Sequence, residues 1–172
     1  ADRWRSFLAQ AVKGQSASDI AVIGGGIAGC ELAMAMAFAL RAVGVSPRVT
    51  VIESGTQITG VGGKARQRIL MAMSDLGIVV KTSAKVVKVL SDQVLLDGQE
   101  PVAAVFCVGA AGGRAHKWIS QTSLPQRDGF IEIGTDLGVI GDQALFAVGD
   151  CAVMGKGLLP KAGVFAVRAA PI

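Results

Sequence analysis

The chain of 172 residues is poor in charge: Asp, Glu, Lys and Arg make up 17% of it, against 51% apolar residues. It has one histidine, His116, and three widely separated cysteines, Cys30, Cys107 and Cys151, which form no Cys-x-x-Cys pair. That spacing argues against a zinc site and against a dithiol redox centre. Each cysteine sits in an apolar run and reads as a small buried side chain. An odd, unpaired set suits a reducing setting inside a cell. His116 has no Ser, Cys or carboxylate at a recognisable spacing and reads as a surface residue. No basic block with interleaved aromatics accompanies the net charge of +4, so nucleic acid is not an expected partner. No charged-then-apolar leader opens the chain. The longest apolar run, Leu32 to Leu40, is far too short to span a bilayer, so no transmembrane segment is expected.

What remains is an unusually apolar chain, with a mean hydropathy of +0.52. A chain of this length buries roughly 70% of its unfolded surface without needing a disulfide or a metal. The surplus of apolar residues implies a face covered by a partner: a second copy in a homodimer, or another part of a larger protein. A first residue of Ala1 in place of methionine agrees with a partial chain.

Against these absences stands the stretch Asp19 to Ala33. Ile20 to Ile23 is a short apolar run rich in β-branched residues, which predicts a parallel strand buried on both faces. Gly24, Gly26 and Gly29 follow at G-x-G-x-x-G spacing, with Gly25 and Ile27 between them, and a helix-forming run begins at once. One glycine makes the tight turn, one lets the backbone approach a pyrophosphate, and one lets helix and strand pack closely. The phosphates would then meet the unpaired amides at the positive end of the helix. A second strand, Arg48 to Ile52, ends in Glu53, 24 residues past Gly29 (53 minus 29). A carboxylate there accepts ribose hydroxyls and repels a 2′-phosphate, which predicts NADH over NADPH. The plainer alternative is a glycine turn that only saves space.

The rest of the chain sorts into three segments. In residues 1–18, Trp4, Phe7, Leu8, Ala11 and Val12 fall on one helical face, an amphipathic helix that packs on the domain, and Gly14 to Ser18 connects it onward. Residues 19–109 read as a Rossmann-like α/β domain. Helices are expected over Ile27 to Val43 and Lys64 to Leu76, closed by Gly44 and Gly77. The first is apolar on nearly every side. A glycine loop, Gly60 to Gly63, precedes the second, whose Lys64, Arg66 and Arg68 read as a solvated face more readily than as a 2′-phosphate site. Ile78 to Val80 is a third strand. Ala84 to Ala104 alternates as an antiparallel meander with a turn at Asp97-Gly98, and Ala103 to Val108 is a buried strand ending in Gly109. Residues 110–172 differ in character: a small-residue loop to Gly113, a short helix over Arg114 to Ser120, strands at Gly129 to Ile133 and Ala144 to Val148, and a last helix over Pro160 to Ala170. The fold class is α/β: a Rossmann-like parallel sheet with helices on both faces, plus a small antiparallel meander.

The run Ile20-Ala-Val-Ile-Gly-Gly-Gly-Ile-Ala-Gly-Cys-Glu-Leu-Ala resembles the NADH-binding domain of the pyridine nucleotide-disulfide oxidoreductase superfamily. Glu31, two residues past the last glycine, distinguishes that domain's fingerprint from the FAD-binding one. The run Leu145-Phe-Ala-Val-Gly149-Asp150-Cys-Ala is similar to the family's second FAD motif, and Leu159-Pro-Lys161-Ala162-Gly resembles the segment facing the flavin's pyrimidine end. Within the superfamily the chain looks like type II NADH dehydrogenase-like flavoproteins, of the kind associated with selenide, water dikinase. The family's leading FAD-binding half, with its own glycine fingerprint, has no counterpart here, and neither does a dithiol motif. The resemblance therefore implies a fragment: the inserted NADH-binding domain plus the return segment of the FAD domain, whose other half is the missing partner.

In the intact protein it implies hydride transfer from the nicotinamide C4 to flavin N5, then electron delivery to a quinone or other acceptor. Gly24, Gly26 and Gly29 would hold the pyrophosphate and Glu53 the adenosine ribose, with Gly109 beside the nicotinamide ribose. Glu31 would lie near the carboxamide, or is simply a first-turn acid favoured by the helix dipole. Gly149, Asp150, Lys161 and Ala162 would serve FAD, although a plain strand-end turn also accounts for Gly149-Asp150. The expected compartment is the cytoplasm or the inner membrane face. A rival reading is a non-enzymatic module that senses NADH and acts through a partner.

Overall fold

The structure, a computed structural model, describes residues 2–58, 62–142, 144–155, 161 and 163–169. The chain forms two compact units, residues 1–111 and 112–172.

The first unit is built on four parallel strands in the order β3-β2-β1-β7: β1 Asp19–Ile23, β2 Arg48–Ile52, β3 Val79–Lys81 and β7 Phe106–Gly109. Alternation assigns the faces. Ile20 and Val22 of β1, Val49 and Val51 of β2 and Phe106 of β7 share one cluster with the helices α1 Asp2–Val12, α2 Ile27–Ala42 and α3 Gly63–Asp75. Ala21 and Ile52 point the other way, into a cluster with Ala84, Val94, Leu96, Val102 and Ala104. That second cover is an antiparallel meander in the order β4-β5-β6, with β4 Val86–Val89, β5 Gln93–Leu96 and β6 Gln99–Ala103. Pro101 is tolerated because β6 is an edge strand.

The α/β class, the parallel sheet and the meander agree with the sequence-based expectation, while the helices are placed differently. All three helices of this unit pack on one face, because the meander takes the other.

The sheet is pinned at its start by Asp19, which is buried and accepts two bonds from the Arg48 guanidinium. One is 2.7 Å from Nη2 and the other comes from Nε. This bidentate pair joins residues that are partners in the β1–β2 register. The first helix is fixed by rings: Phe7 stacks at 4.8 Å on Phe106, and Trp4 lies 5.6 Å from Phe106 and 5.7 Å from Phe7. Arg3 adds a cation over the Phe106 ring at 5.9 Å. Val12, expected on the packed face, is exposed. α2 is apolar on nearly every side, yet only one side is covered: Cys30, Ala33, Met36, Ala37 and Leu40 are buried, whereas Leu32 and Phe38 face out, Phe38 at 68% exposure.

The second unit holds a three-stranded sheet in the order β10-β9-β8, from β8 Gln126–Arg127, β9 Phe130–Ile133 and β10 Ala152–Met154. Its core is Ile119, Ile131, Ile133, Leu137, Val139, Ala147 and Ala152. Three expectations are corrected here. The helix over Arg114 to Ser120 is reduced to a 3-10 turn at Ile119–Gln121, with only Ile119 buried. Ala144 to Val148 is no strand: it makes one isolated bridge, Gly138 to Phe146, and the strand comes later, at Ala152–Met154. The last helix, α4, covers Gly163–Ala169; Pro160 and Ala170, the expected ends, lie outside the described residues. Gly60 and Val61 of the expected glycine loop also lie outside them.

Candidate functional site

Four parallel strands end on one edge of the first sheet. The chain leaves β1 for α2 and β2 on one side, and β7 returns to the other side of β1. The strand order therefore reverses at β1, and in open α/β sheets the crevice outside such a switch point is where ligands bind. Five of the expected residues lie at that edge: Gly24, Gly25 and Gly26 in the turn after β1, Glu53 after β2 and Gly109 at the end of β7. Ile23 and Gly109 are direct register partners.

The turn is built as glycine chemistry requires. Gly24 has φ +113°, and a Cβ there would sit 2.5 Å from the Ala110 carbonyl oxygen. Gly29 lies where α2 crosses the turn, and a Cβ on it would come within 1.9 Å of the Gly24 carbonyl oxygen. A Cβ at Gly25 would meet Glu53 at 2.9 Å. At Gly109, by contrast, a Cβ would meet nothing within 4 Å, so packing alone does not demand glycine there.

Glu53 is the centre of the arrangement. It is 9% exposed, and its Oε2 accepts the Gly25 amide at 2.7 Å. Its Oε1 accepts the Gly55 amide at 2.7 Å and the Ser54 hydroxyl at 3.3 Å. Burial pushes this carboxyl up, but the bonds from Gly55, Gly25 and Ser54 outweigh it and hold it below its ordinary value, so it is ionised at neutral pH. From spacing alone Glu53 is expected at a ribose; the structure adds that it clamps the glycine turn. The same carboxylate acts on Cys30: burial pushes the thiol up and the Glu53 charge pushes it further. Cys107 is raised by burial, with Arg3 opposing. Both thiols are poor nucleophiles at neutral pH. Cys107 and Cys151 are only half-buried, in contrast to the fully buried Cys30.

The residues fit a dinucleotide. Gly26 caps α2 with no side chain on the first-turn amides, leaving these donors and the positive end of a 16-residue helix for a diphosphate. A carboxylate offers about four acceptor positions, and three bonds to Glu53 leave room for a hydroxyl. Glu31 and Ile27 are exposed on the first two turns of α2. Arg66 was expected on a solvated helix face with Lys64 and Arg68, and the structure corrects that reading. Its Nε donates to the Ile58 carbonyl at 3.0 Å and its Nη1 to Gln57 Oε1 at 2.8 Å. Lys64 and Arg68 are exposed, as expected. His116 is exposed too.

The residues expected at flavin all fall in the second unit. Gly149, φ +74°, and Asp150 form a 3-10 turn against which α4 packs, with a Cβ at Gly149 reaching 3.1 Å from Ala166. Asp150 is exposed and makes no hydrogen bond or ion pair among the described residues. Lys161 is engaged internally, donating to the Ala152 carbonyl with its ammonium 4.1 Å over the Phe130 ring. Ala162 lies outside the described residues. Among the described residues no cluster of His, Cys, Asp or Glu suits a metal, and no helix is long and apolar enough to cross a membrane.

This fold belongs to a known class. The chain matches the pyridine nucleotide-disulphide oxidoreductase family over residues 3–170, and it is a member of that family. It is 33% identical over 144 residues to an NADH dehydrogenase-like protein of Mycobacterium tuberculosis, covering 80% of this chain and 36% of that one. It is 28% identical over 150 residues to the nitric oxide reductase FlRd-NAD(+) reductase of Klebsiella pneumoniae, covering 84% of this chain and 38% of the relative. Among solved structures it superposes on an NAD-dependent persulfide reductase from A. fulgidus with a TM-score of 0.70 and 23% identity, over 92% of this chain and 30% of that one. The chain thus spans little more than a third of the length of the curated relatives it matches.

Proposed function

We propose that this chain is the NAD(H)-binding part, with a flavin-contacting segment, of an FAD-dependent NADH oxidoreductase. The observation that carries the reading is Glu53: an ionised, nearly buried carboxylate, bonded to the Gly25 amide at the strand-order switch point. Support also comes from family membership and from relatives named as NADH dehydrogenase-like protein and NAD(+) reductase.

In this reading the amides at the start of α2 bind the diphosphate, and the glycines at 24 and 29 let turn and helix approach it. Glu53 accepts a ribose hydroxyl at the acceptor position that its bonds from Gly25, Gly55 and Ser54 leave open. The same charge disfavours a 2′-phosphate, so NADH is preferred to NADPH. Gly109 leaves space beside β1 for the nicotinamide ribose, and Glu31 orients the carboxamide. Gly149 and Asp150 serve the flavin, and Lys161 joins them by leaving Phe130. When bound, the two cofactors supply hydride transfer from nicotinamide to flavin, and electrons pass to a quinone or another acceptor in the cytoplasm or at the inner membrane face. The remainder of such a protein, or a second copy, would cover exposed apolar side chains such as Phe38.

Calorimetric titration with NADH, NADPH and FAD tests the reading. NADH should bind, with affinity abolished by Gly26→Val and reduced about tenfold or more by Glu53→Ala, the cost of a lost charged hydrogen bond. NADPH should bind more weakly. Tight FAD uptake abolished by Gly26→Val would assign the glycine turn to flavin and refute the proposal.

A further inference from the structure

The segment that follows Glu53 carries the Gly55 amide, and so half of the carboxylate's clamp, yet Ser54, Thr56 and Gln57 are exposed. Something other than burial must hold it. Two sets of bonds do so. On one side the Ser83 amide donates to the Gly55 carbonyl at 2.7 Å. On the other, α3 reaches across with Arg66, whose guanidinium bonds the Ile58 carbonyl and the Gln57 side chain. Ile58 itself is anchored in the core at 1% exposure. Its side chain secures the far end of the segment, while Arg66 fixes the Ile58 carbonyl at that end and the Gln57 side chain next to it.

We infer that Arg66 is a positioning residue for the nucleotide site: it holds the Ser54–Ile58 segment so that the Gly55 amide stays on Glu53 and the carboxylate keeps the orientation in which it meets a ribose. The inference rests on the nucleotide-binding role proposed for Glu53. Arg66 acts through Gln57, Ile58 and Gly55, with no contact to substrate required.

The test uses the full 172-residue chain, with amide hydrogen exchange by NMR and calorimetric titration of ADP-ribose, which carries the adenosine ribose without the reacting ring. Arg66→Gln should speed exchange of the Gly55 amide about tenfold, leave the Val22 amide in the central strand unchanged, and weaken ADP-ribose about tenfold. Arg66→Lys, which keeps a donor for the Ile58 carbonyl, should fall between. Gln57→Ala, a change at an exposed side chain that will not threaten folding, should give a smaller effect in the same direction. Unchanged Gly55 exchange, unchanged affinity despite faster exchange, or equal acceleration at Val22 would each overturn the inference. If Glu53→Gln still weakens ADP-ribose in that event, only the role of Arg66 falls. If the unaltered chain binds no ADP-ribose, or Glu53→Gln is without effect, the nucleotide site itself is refuted and Arg66 with it.

Discussion

Gly29→Ala is the sharpest test of how the turn is built. Within a helix this exchange ordinarily stabilises, by about 1 kcal/mol. Here the added Cβ would lie 1.9 Å from the Gly24 carbonyl oxygen, 3.1 Å from its carbon and 3.5 Å from the Ala110 Cβ. Ordinary contact begins at 3.4 Å, so 3.4 − 1.9 leaves 1.5 Å to be found. The obstacle is backbone, and it cannot move without disturbing its neighbours. Either α2 lifts away from β1, opening the packing of Cys30 and Ala33, or the Gly24 peptide turns and breaks the clamp of Gly25 on Glu53. Overpacking of this kind costs about 3 kcal/mol. The helix-propensity gain leaves a net loss of about 2 kcal/mol, a fall in melting temperature of about 6 °C. Thermal unfolding followed by circular dichroism measures it, and NADH titration should show binding lost as well. Gly109→Ala is the control, since its Cβ meets nothing within 4 Å: stability should be unchanged while NADH affinity falls, because the space it fills is the space assigned to the nucleotide. A Gly29→Ala chain as stable as its parent would refute the steric argument.

Glu53→Gln should cost about 1–3 kcal/mol at pH 7, since one amide donor loses its anionic acceptor. The folded carboxyl lies below its ordinary value of 4.5. Its contribution is therefore present above that pH and disappears as pH falls through the folded value. Urea unfolding of both chains at pH 7 and in strong acid should show the difference shrinking on acidification; a difference that grows would contradict the assignment. Phe7→Ala should cost about 3 kcal/mol, by removing the ring that α1 sets on Phe106 at 4.8 Å. Trp4, packed on both rings, should then emit further to the red as it gains water; unchanged emission and stability would show that α1 is held by other contacts.

How much of this was readable in advance depends on whether the side chains record burial. In the first unit they do. Ile20 to Ile23 and Arg48 to Ile52 are β-branched runs, the first closed by Gly24 and the second opened by Pro47; both became strands of the parallel sheet, the second with those ends and the first begun one residue earlier, at Asp19. The meander announced itself by alternation and by Asp97-Gly98, where Gly98 takes φ +63°. What alternation could not say is which layer covers which face: Ile20 and Ala21 differ only in size, and the helices took the side with the larger residues. In the second unit the record is inverted. Leu145, Phe146 and Val148 look like a buried strand, yet they are exposed, Phe146 at 66%, and only the small Ala147 between them is in the core. The backbone there pairs with the neighbouring loop, Ala147 to Leu137 and Val139 to Leu145, so an apolar run carries no strand. β8, as Gln126–Arg127, has no apolar residue to reveal it. The site divides in the same way. Glycine spacing and the distance to Glu53 follow from local sequence, because turn and strand end are local structures. The Gly25–Glu53 clamp joins residues 28 apart, and Arg66 reaches back to residues 57 and 58 from a separate helix. Neither leaves a period or a motif, because both depend on where a side chain ends once two elements have packed. A single arginine on a helix carries the same signal whether it faces water or organises a loop, and only the position of its guanidinium decides between them.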